Sequence, residues 1–82
     1  MPDPAAATVL DLRGLACPLP VLRTRKALGR LRPGARLLVE ATDPMARIDL
    51  PHFCAEQGHR VMSVEDEGEV TRYLIEKGPT LG

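Results

Sequence analysis

The sequence predicts an α/β (α+β) fold: a two-layer sandwich of order β-α-β-α-β-β, with a four-stranded mixed sheet and both helices on one face. Three observations carry this. Stretches of alternating apolar residues trade places with stretches at helical 3/4 spacing, separated by Gly and Pro. A β-α-β unit crosses over right-handed and sets its two strands parallel. Only two helical segments occur, too few to cover both faces of a sheet, so one sheet face stays exposed or meets a partner. A chain of 82 residues holds one core, so 1–82 reads as a single domain with an ordered part at about 9–77.

The elements follow in order. Residues 1–8 read as a loose lead-in. Val9, Leu10 and Leu12 form a short strand that ends at Gly14. Pro18 to Leu31 reads as a helix with Val21, Thr24, Ala27, Leu28 and Leu31 on one face and Arg23, Lys26 and Arg30 on the other. Pro33-Gly34 breaks it. Arg36 to Thr42 is the clearest strand. Asp43-Pro44 then has the form of a helix start, Asp as N-cap and Pro in the first turn. Met45, Ile48, Phe53 and Ala55 offer a core face for a second helix of roughly ten residues ending before Gly58. Pro51 leaves two readings open: a kinked helix, or a separate turn at Pro44–Arg47 with the main helix beginning near Asp49. Arg60 to Asp66 alternates, with Val61 and Ser63 on one side and Met62 and Val64 on the other. Glu67-Gly68 is a hairpin turn. Val70 to Glu76 is the last strand, and Gly78 to Gly82 reads as a loose tail.

Composition narrows the function classes. Hydrophobic residues make up 44% and charged residues 27%, the balance of a globular protein. Eleven basic residues offset eleven acidic ones, so no net field draws the molecule to nucleic acid or membrane. Phe53 and Tyr73 are the only aromatics, too few for a base-stacking platform. The N-terminal stretch has neither the basic segment nor the apolar run of a signal peptide, and nothing reaches the ~18–20 apolar residues of a membrane span. The expectation is a cytoplasmic, monomeric protein without direct nucleic-acid or membrane contact. Cys17 and Cys54 form no Cys-x-x-Cys and join no Cys/His cluster, so no metal is expected. Their spacing leaves a Cys17–Cys54 disulfide open.

The chemistry concentrates at Gly14-Leu15-Ala16-Cys17-Pro18-Leu19-Pro20. A cysteine at the start of a helix sits where free N–H groups and the positive dipole end converge. That placement lowers a thiol pKa and favours the nucleophilic thiolate. Pro18 and Pro20 are tolerated in a first turn, stiffen the loop, and leave the N–H groups of Leu19 and Val21 free for an anionic sulfur. The competing reading is a buried structural cysteine that happens to precede a helix. His52 and His59 lie far along the chain, so Cys17 lacks a partnered base. A nucleophile without a base suits a carrier better than a hydrolase.

Cys17-Pro18-Leu19-Pro20 matches the Cys-Pro-x-Pro signature of the TusA/SirA-like sulfur-carrier proteins, and the chain resembles that family well beyond these four residues. The likeness takes in Leu10-Asp11, Gly14-Leu15, the run Pro20 to Lys26, Leu37-Leu38-Val39, Thr42-Asp43-Pro44, Asp49-Leu50-Pro51, Phe53-Cys54 and Arg72 to Ile75. It implies the same β-α-β-α-β-β sandwich. It also implies that Cys17 carries sulfur as a persulfide, received from a cysteine desulfurase or a rhodanese-like donor and passed to an acceptor protein. The recipient pathway stays open among tRNA thiolation, molybdenum cofactor assembly and sulfur oxidation. Such a protein relays sulfur without a turnover of its own and needs no cofactor.

Other features are weighed against plainer roles. Seven basic and no acidic residues lie between Arg13 and Arg36, and four acids fall between Glu65 and Glu69. Such runs are solvated surface or a steering field for a partner. Leu19 and Leu22 fall off the apolar stripe of the first helix, and Leu22 with Arg25 marks the expected partner-binding face. Asp43 is the simplest N-cap and a candidate docking residue. Cys54, beside Phe53, reads as a buried, inert thiol. The rival function is a non-catalytic RNA-binding or regulatory module, since the same sandwich with a basic helix resembles the C-terminal domain of a bacterial translation initiation factor. Balanced charge and the aromatic count oppose it.

Overall fold

The computed structural model describes residues 7–79; the lead-in over 1–6 and the tail over 80–82 lie outside the described residues. The elements are β1 (Thr8–Leu12), α1 (Leu19–Gly29), β2 (Arg36–Ala41), α2 (Ala46–Gln57), β3 (Arg60–Glu67) and β4 (Val70–Glu76). One sheet has the order β1-β2-β4-β3. β1 pairs parallel with β2, as a crossover through α1 requires, and β4 runs antiparallel to both of its neighbours. No helix among the described residues is long and apolar enough to cross a membrane.

The pleat decides which side chains meet the helices. Leu37, Val39 and Ala41 alternate inward along β2, and their register partners Ile75 and Tyr73 on β4 join them. With Leu12, Leu28, Ala46, Leu50 and Cys54 they form the core, each at most 1% exposed. The opposite sheet face carries Val9, Leu38 and Leu74 in one row and Asp11, Glu40, Arg72 and Glu65 in the next. Arg72 ties that charged row together: its Nε donates to Glu40 at 3.0 Å and its other arm pairs with Glu67. This face is the one that two helices leave uncovered.

Several sequence expectations need correction. α1 begins at Leu19, with Pro18 as the N-cap residue, and its inward stripe includes Pro20 beside Thr24 and Leu28. α2 runs unbroken from Ala46 through Pro51, so neither a kink nor a new start near Asp49 occurs. Pro51 lacks only the N–H that would have bonded the Arg47 carbonyl, one bond in three turns. The core stripe of α2 is Ala46, Leu50 and Cys54 at spacings of four, while Met45, Ile48 and Ala55 are exposed. Small residues at Ala46 and Cys54 let the helix lie close on the sheet, and the bulkier Met45 and Ile48 turn outward. The expected N-cap at Asp43 is two residues too early; Met45 holds that position.

β3 also departs from simple alternation. A bulge between Val61 and Ser63 leaves Met62 without a register partner. Val61 opposes Ile75 and Val64 opposes Tyr73, so both valines face the helices and Ser63, opposite Leu74, faces away. Thr8 belongs to β1 rather than to the lead-in. Gly78 is buried, not loose: its N–H donates to His59 Nδ1 at 3.0 Å, and a Cβ there would lie 1.8 Å from the Gly58 carbonyl oxygen. Gly58 takes the left-handed φ of 78° that closes α2.

Candidate functional site

β1 and β2 are parallel, so both end at the same edge of the sheet. The loop from Arg13 to Pro18 leaves β1 there and meets the segment that follows β2. Its hydrogen bonds include three that fix its path. Gly14, at the left-handed φ of 83°, donates its N–H to Thr42 Oγ1 at 2.9 Å. Leu15 N–H returns to the Leu12 carbonyl at 3.2 Å. Cys17 N–H donates to Asp43 Oδ2 at 2.7 Å. Asp43 uses its other oxygen on the Met45 N–H at 3.2 Å, an Asx turn that leads the chain into α2. One carboxylate therefore fixes the sulfur loop and the approach to α2 together.

Cys17 is exposed in the loop before α1, as expected, and it is a free thiol. The Cys17–Pro18 peptide bond is cis. The expected surroundings of the sulfur are not found. Leu19 N–H is spent on the Ala16 carbonyl at 3.0 Å, and the thiol itself donates to Asp49 Oδ2 at 3.4 Å. Asp49 lies in the first turn of α2. The bond to Asp49 pushes the Cys17 thiol pKa above its ordinary value; desolvation and the charges of Asp49 and Asp43 add to this. The lowering expected from the start of α1 is therefore not what the surroundings of Cys17 produce: its contacts act in the opposite direction. Local helix logic reads the donors of α1 but misses a carboxylate arriving from α2.

Cys17 opens into a hollow of about 330 Å³ between the two helices, lined by Pro18 and Val21 of the α1 side and Asp49, His52, Phe53 and Glu56 of α2. His52 and Glu56 pair across one helical turn on the exposed side. Sequence reasoning placed both histidines away from the sulfur; His52 lines its hollow, and the i, i+3, i+7 spacing of Asp49, His52 and Glu56 is the signal that marks one face of α2. His59 is separate. It stacks at a tilt on Phe53 with ring centroids 6.0 Å apart, and burial, then Lys77, lower its pKa.

Of the expected partner residues, Asp43 is joined to Cys17 directly. Leu19 and Leu22 are exposed on α1, at 39% and 51%. Arg25 is exposed but lines a second hollow with Gly29, Gln57, His59 and Lys77, which shares only Phe53 with that of Cys17. Met45 and Ile48 add exposed apolar surface on α2 beside Asp49 that the sequence reading assigned to the core. Cys54 is buried, and desolvation drives its thiol up to about 11. Among the described residues no cluster of three or more His, Cys, Asp or Glu could hold a metal ion.

Fold and loop together define a small α+β protein that presents one exposed thiol at the edge of its sheet. The chain belongs to the sulfurtransferase TusA family, whose model matches residues 8–77. It is 44% identical over 70 residues to "Putative sulfur carrier protein YrkI" of Bacillus subtilis (strain 168), covering 85% of this chain and 93% of that protein. It is 40% identical over 73 residues to "Putative sulfur carrier protein YrkF" of the same organism; that match takes in 89% of this chain but spans only 40% of the relative's length. Among solved structures, the SirA-like protein from Desulfitobacterium hafniense superposes with a TM-score of 0.76 at 28% identity, over 87% of this chain and 97% of the other.

Proposed function

We propose that the protein is a sulfur carrier that holds sulfane sulfur as a persulfide on Cys17. The observation that carries this reading is an exposed thiol on a loop pinned at 2.7 Å through its own backbone to Asp43, in a chain of the sulfurtransferase TusA family. In loading, Cys17 Sγ attacks the outer sulfur of a donor persulfide. The donor S–S bond breaks with its electron pair on the donor cysteine, and a new Sγ–S bond forms. The second transfer repeats this, with Cys17 as the sulfur left behind. Nothing is oxidised or reduced overall, so no cofactor is needed.

The donor in this reading is a cysteine desulfurase or a rhodanese-like protein, and the acceptor is a protein of a relay feeding tRNA thiolation, molybdenum cofactor assembly or sulfur oxidation. Docking uses the surface around Cys17: Leu19, Leu22 and Arg25 on α1, with Asp43 beside the loop. Such contacts are small and transient, because the sulfur must arrive and then leave. The test is intact mass after incubation with a cysteine desulfurase and cysteine. A reducible gain of one sulfur is expected in the wild type and in Cys54→Ala, and none in Cys17→Ala. Loss of the gain in Cys54→Ala replaces the carrier with a two-cysteine exchange.

A further inference from the structure

The hollow that holds Cys17 has one uncharged wall and one acidic wall. Pro18 and Val21 form the first. On the second, Asp49 accepts the thiol hydrogen at 3.4 Å and Glu56 stands two turns further on, paired with His52. Asp43 adds a carboxylate from the segment between β2 and α2, bonded to the Cys17 backbone. Two carboxylates, Asp49 and Asp43, thus meet Cys17 directly, and no Lys or Arg is among the residues that line the hollow. Such an arrangement favours S–H over S⁻, and the thiol of Cys17 is indeed displaced in that direction. An exposed cysteine meant only to be a strong nucleophile would not be set against acids.

We infer that Asp49 is a positioning residue that distinguishes the empty carrier from the loaded one: it holds the free thiol of Cys17 protonated and turned into the hollow, and releases the sulfur once it has become a persulfide. The inference rests on the carrier reading of Cys17. A persulfide is a stronger acid than its parent thiol, so the loaded group is an anion at a pH where the empty one is neutral. The anion has no hydrogen to give Asp49 and is repelled by Asp49 and Asp43. It swings toward solvent, where an acceptor reaches it. The empty thiol, in contrast, stays protonated and reacts more slowly with stray electrophiles. Protons balance in the loading step: as Sγ bonds to the donor's outer sulfur and the donor cysteine leaves as thiolate, the hydrogen on Sγ passes to Asp49 and from there to the departing thiolate or to water.

The test is the rate of alkylation by iodoacetamide against pH, with the modified cysteine assigned by peptide mass. It is run on empty protein and on protein loaded with inorganic polysulfide, for wild type, Asp49→Asn and Asp49→Glu. In the empty form, Asp49→Asn is expected to move the profile to lower pH. A lower thiol pKa raises the thiolate fraction but lowers its nucleophilicity, so the net gain near neutral pH is only about threefold. Asp49→Glu restores the wild-type profile in part. In the loaded form wild type and Asp49→Asn react alike. Matching profiles for the empty proteins, or an equal effect of Asp49→Asn on both forms, overturns the inference. If no variant and no wild type takes up sulfur, the carrier reading fails and with it the loaded half of the inference, while the empty profiles still decide whether Asp49 holds the thiol.

Discussion

Replacing Asp43 by Ala should loosen the sulfur loop and weaken the fold at once. The carboxylate accepts from Cys17 N–H at 2.7 Å and from Met45 N–H at 3.2 Å, so the change deletes two charge-assisted bonds, one reaching across to the Cys17 loop and one local to the turn before α2. A hydrogen bond to a charged group contributes about 1.5–3 kcal/mol when desolvated. Asp43 is only half-buried, and water can reach the vacated N–H groups, so the pair together should be worth about 1–2 kcal/mol. For a domain of this size that lowers the melting temperature by roughly 5–15 °C. Sulfur loading should slow by about tenfold or more, because a reacting atom displaced by an ångström loses alignment. Asp43→Asn keeps one acceptor oxygen and should fall between. The assays are a thermal melt and the loading rate from a purified desulfurase. If Asp43→Ala melts and loads as the wild type does, the carboxylate is not what holds the loop.

Gly78→Ala should destabilise by about 1–3 kcal/mol, as overpacking does, because its Cβ would lie 1.8 Å from the backbone oxygen of Gly58; a melt equal to wild type would contradict this. Stability should fall as pH drops below about 6.5, because burial depresses His59 in the folded state while the unfolded chain binds its proton readily. The contribution is complete above the unfolded pKa and is lost as pH falls through the folded one, where protonated Nδ1 can no longer accept from Gly78. His59→Gln should flatten that part of the melting profile. Arg25→Glu should slow sulfur loading at low salt and leave the melt unchanged, and added salt should slow the wild type similarly. Equal loading rates for the two proteins would remove Arg25 from the docking surface.

Strands were readable where one face is buried and the alternation is strict, as in Leu37, Val39 and Ala41. The bulge at Met62 was not, because an extra residue in an exposed edge strand leaves no mark in the pattern. α2 misled for two reasons. Its largest apolar side chains, Met45 and Ile48, point outward, and Pro51 occupies an interior position that usually ends a helix. At the site, Cys17 stood out from local order alone. Its partners did not, since Asp43 lies 26 positions away and Asp49 lies 32 positions away, beyond any periodic signal. Asp43 was half legible: the Asp-Pro pair announces a turn, and Oδ1 makes it, but the reach of Oδ2 back to Cys17 exists only once β1 and β2 lie side by side.

The direction of the strands has a bearing on how this unit can be joined to others. β1 runs from Thr8 toward the Cys17 loop, and β4 runs from Val70, near that same edge, out to Glu76. The register places Thr8 beside Leu37 and Leu37 beside Ile75, so the first and last strands begin and finish together at the far edge of the sheet. Polypeptide attached before β1 or after β4 starts about one strand length from the thiol, roughly 15 Å at 3.3 Å per residue. Among the described residues the outer ends of β1 and β4 thus lie on one side of the sheet and the Cys17 loop on the other, an arrangement in which chain joined at either end leaves the loop open to visitors.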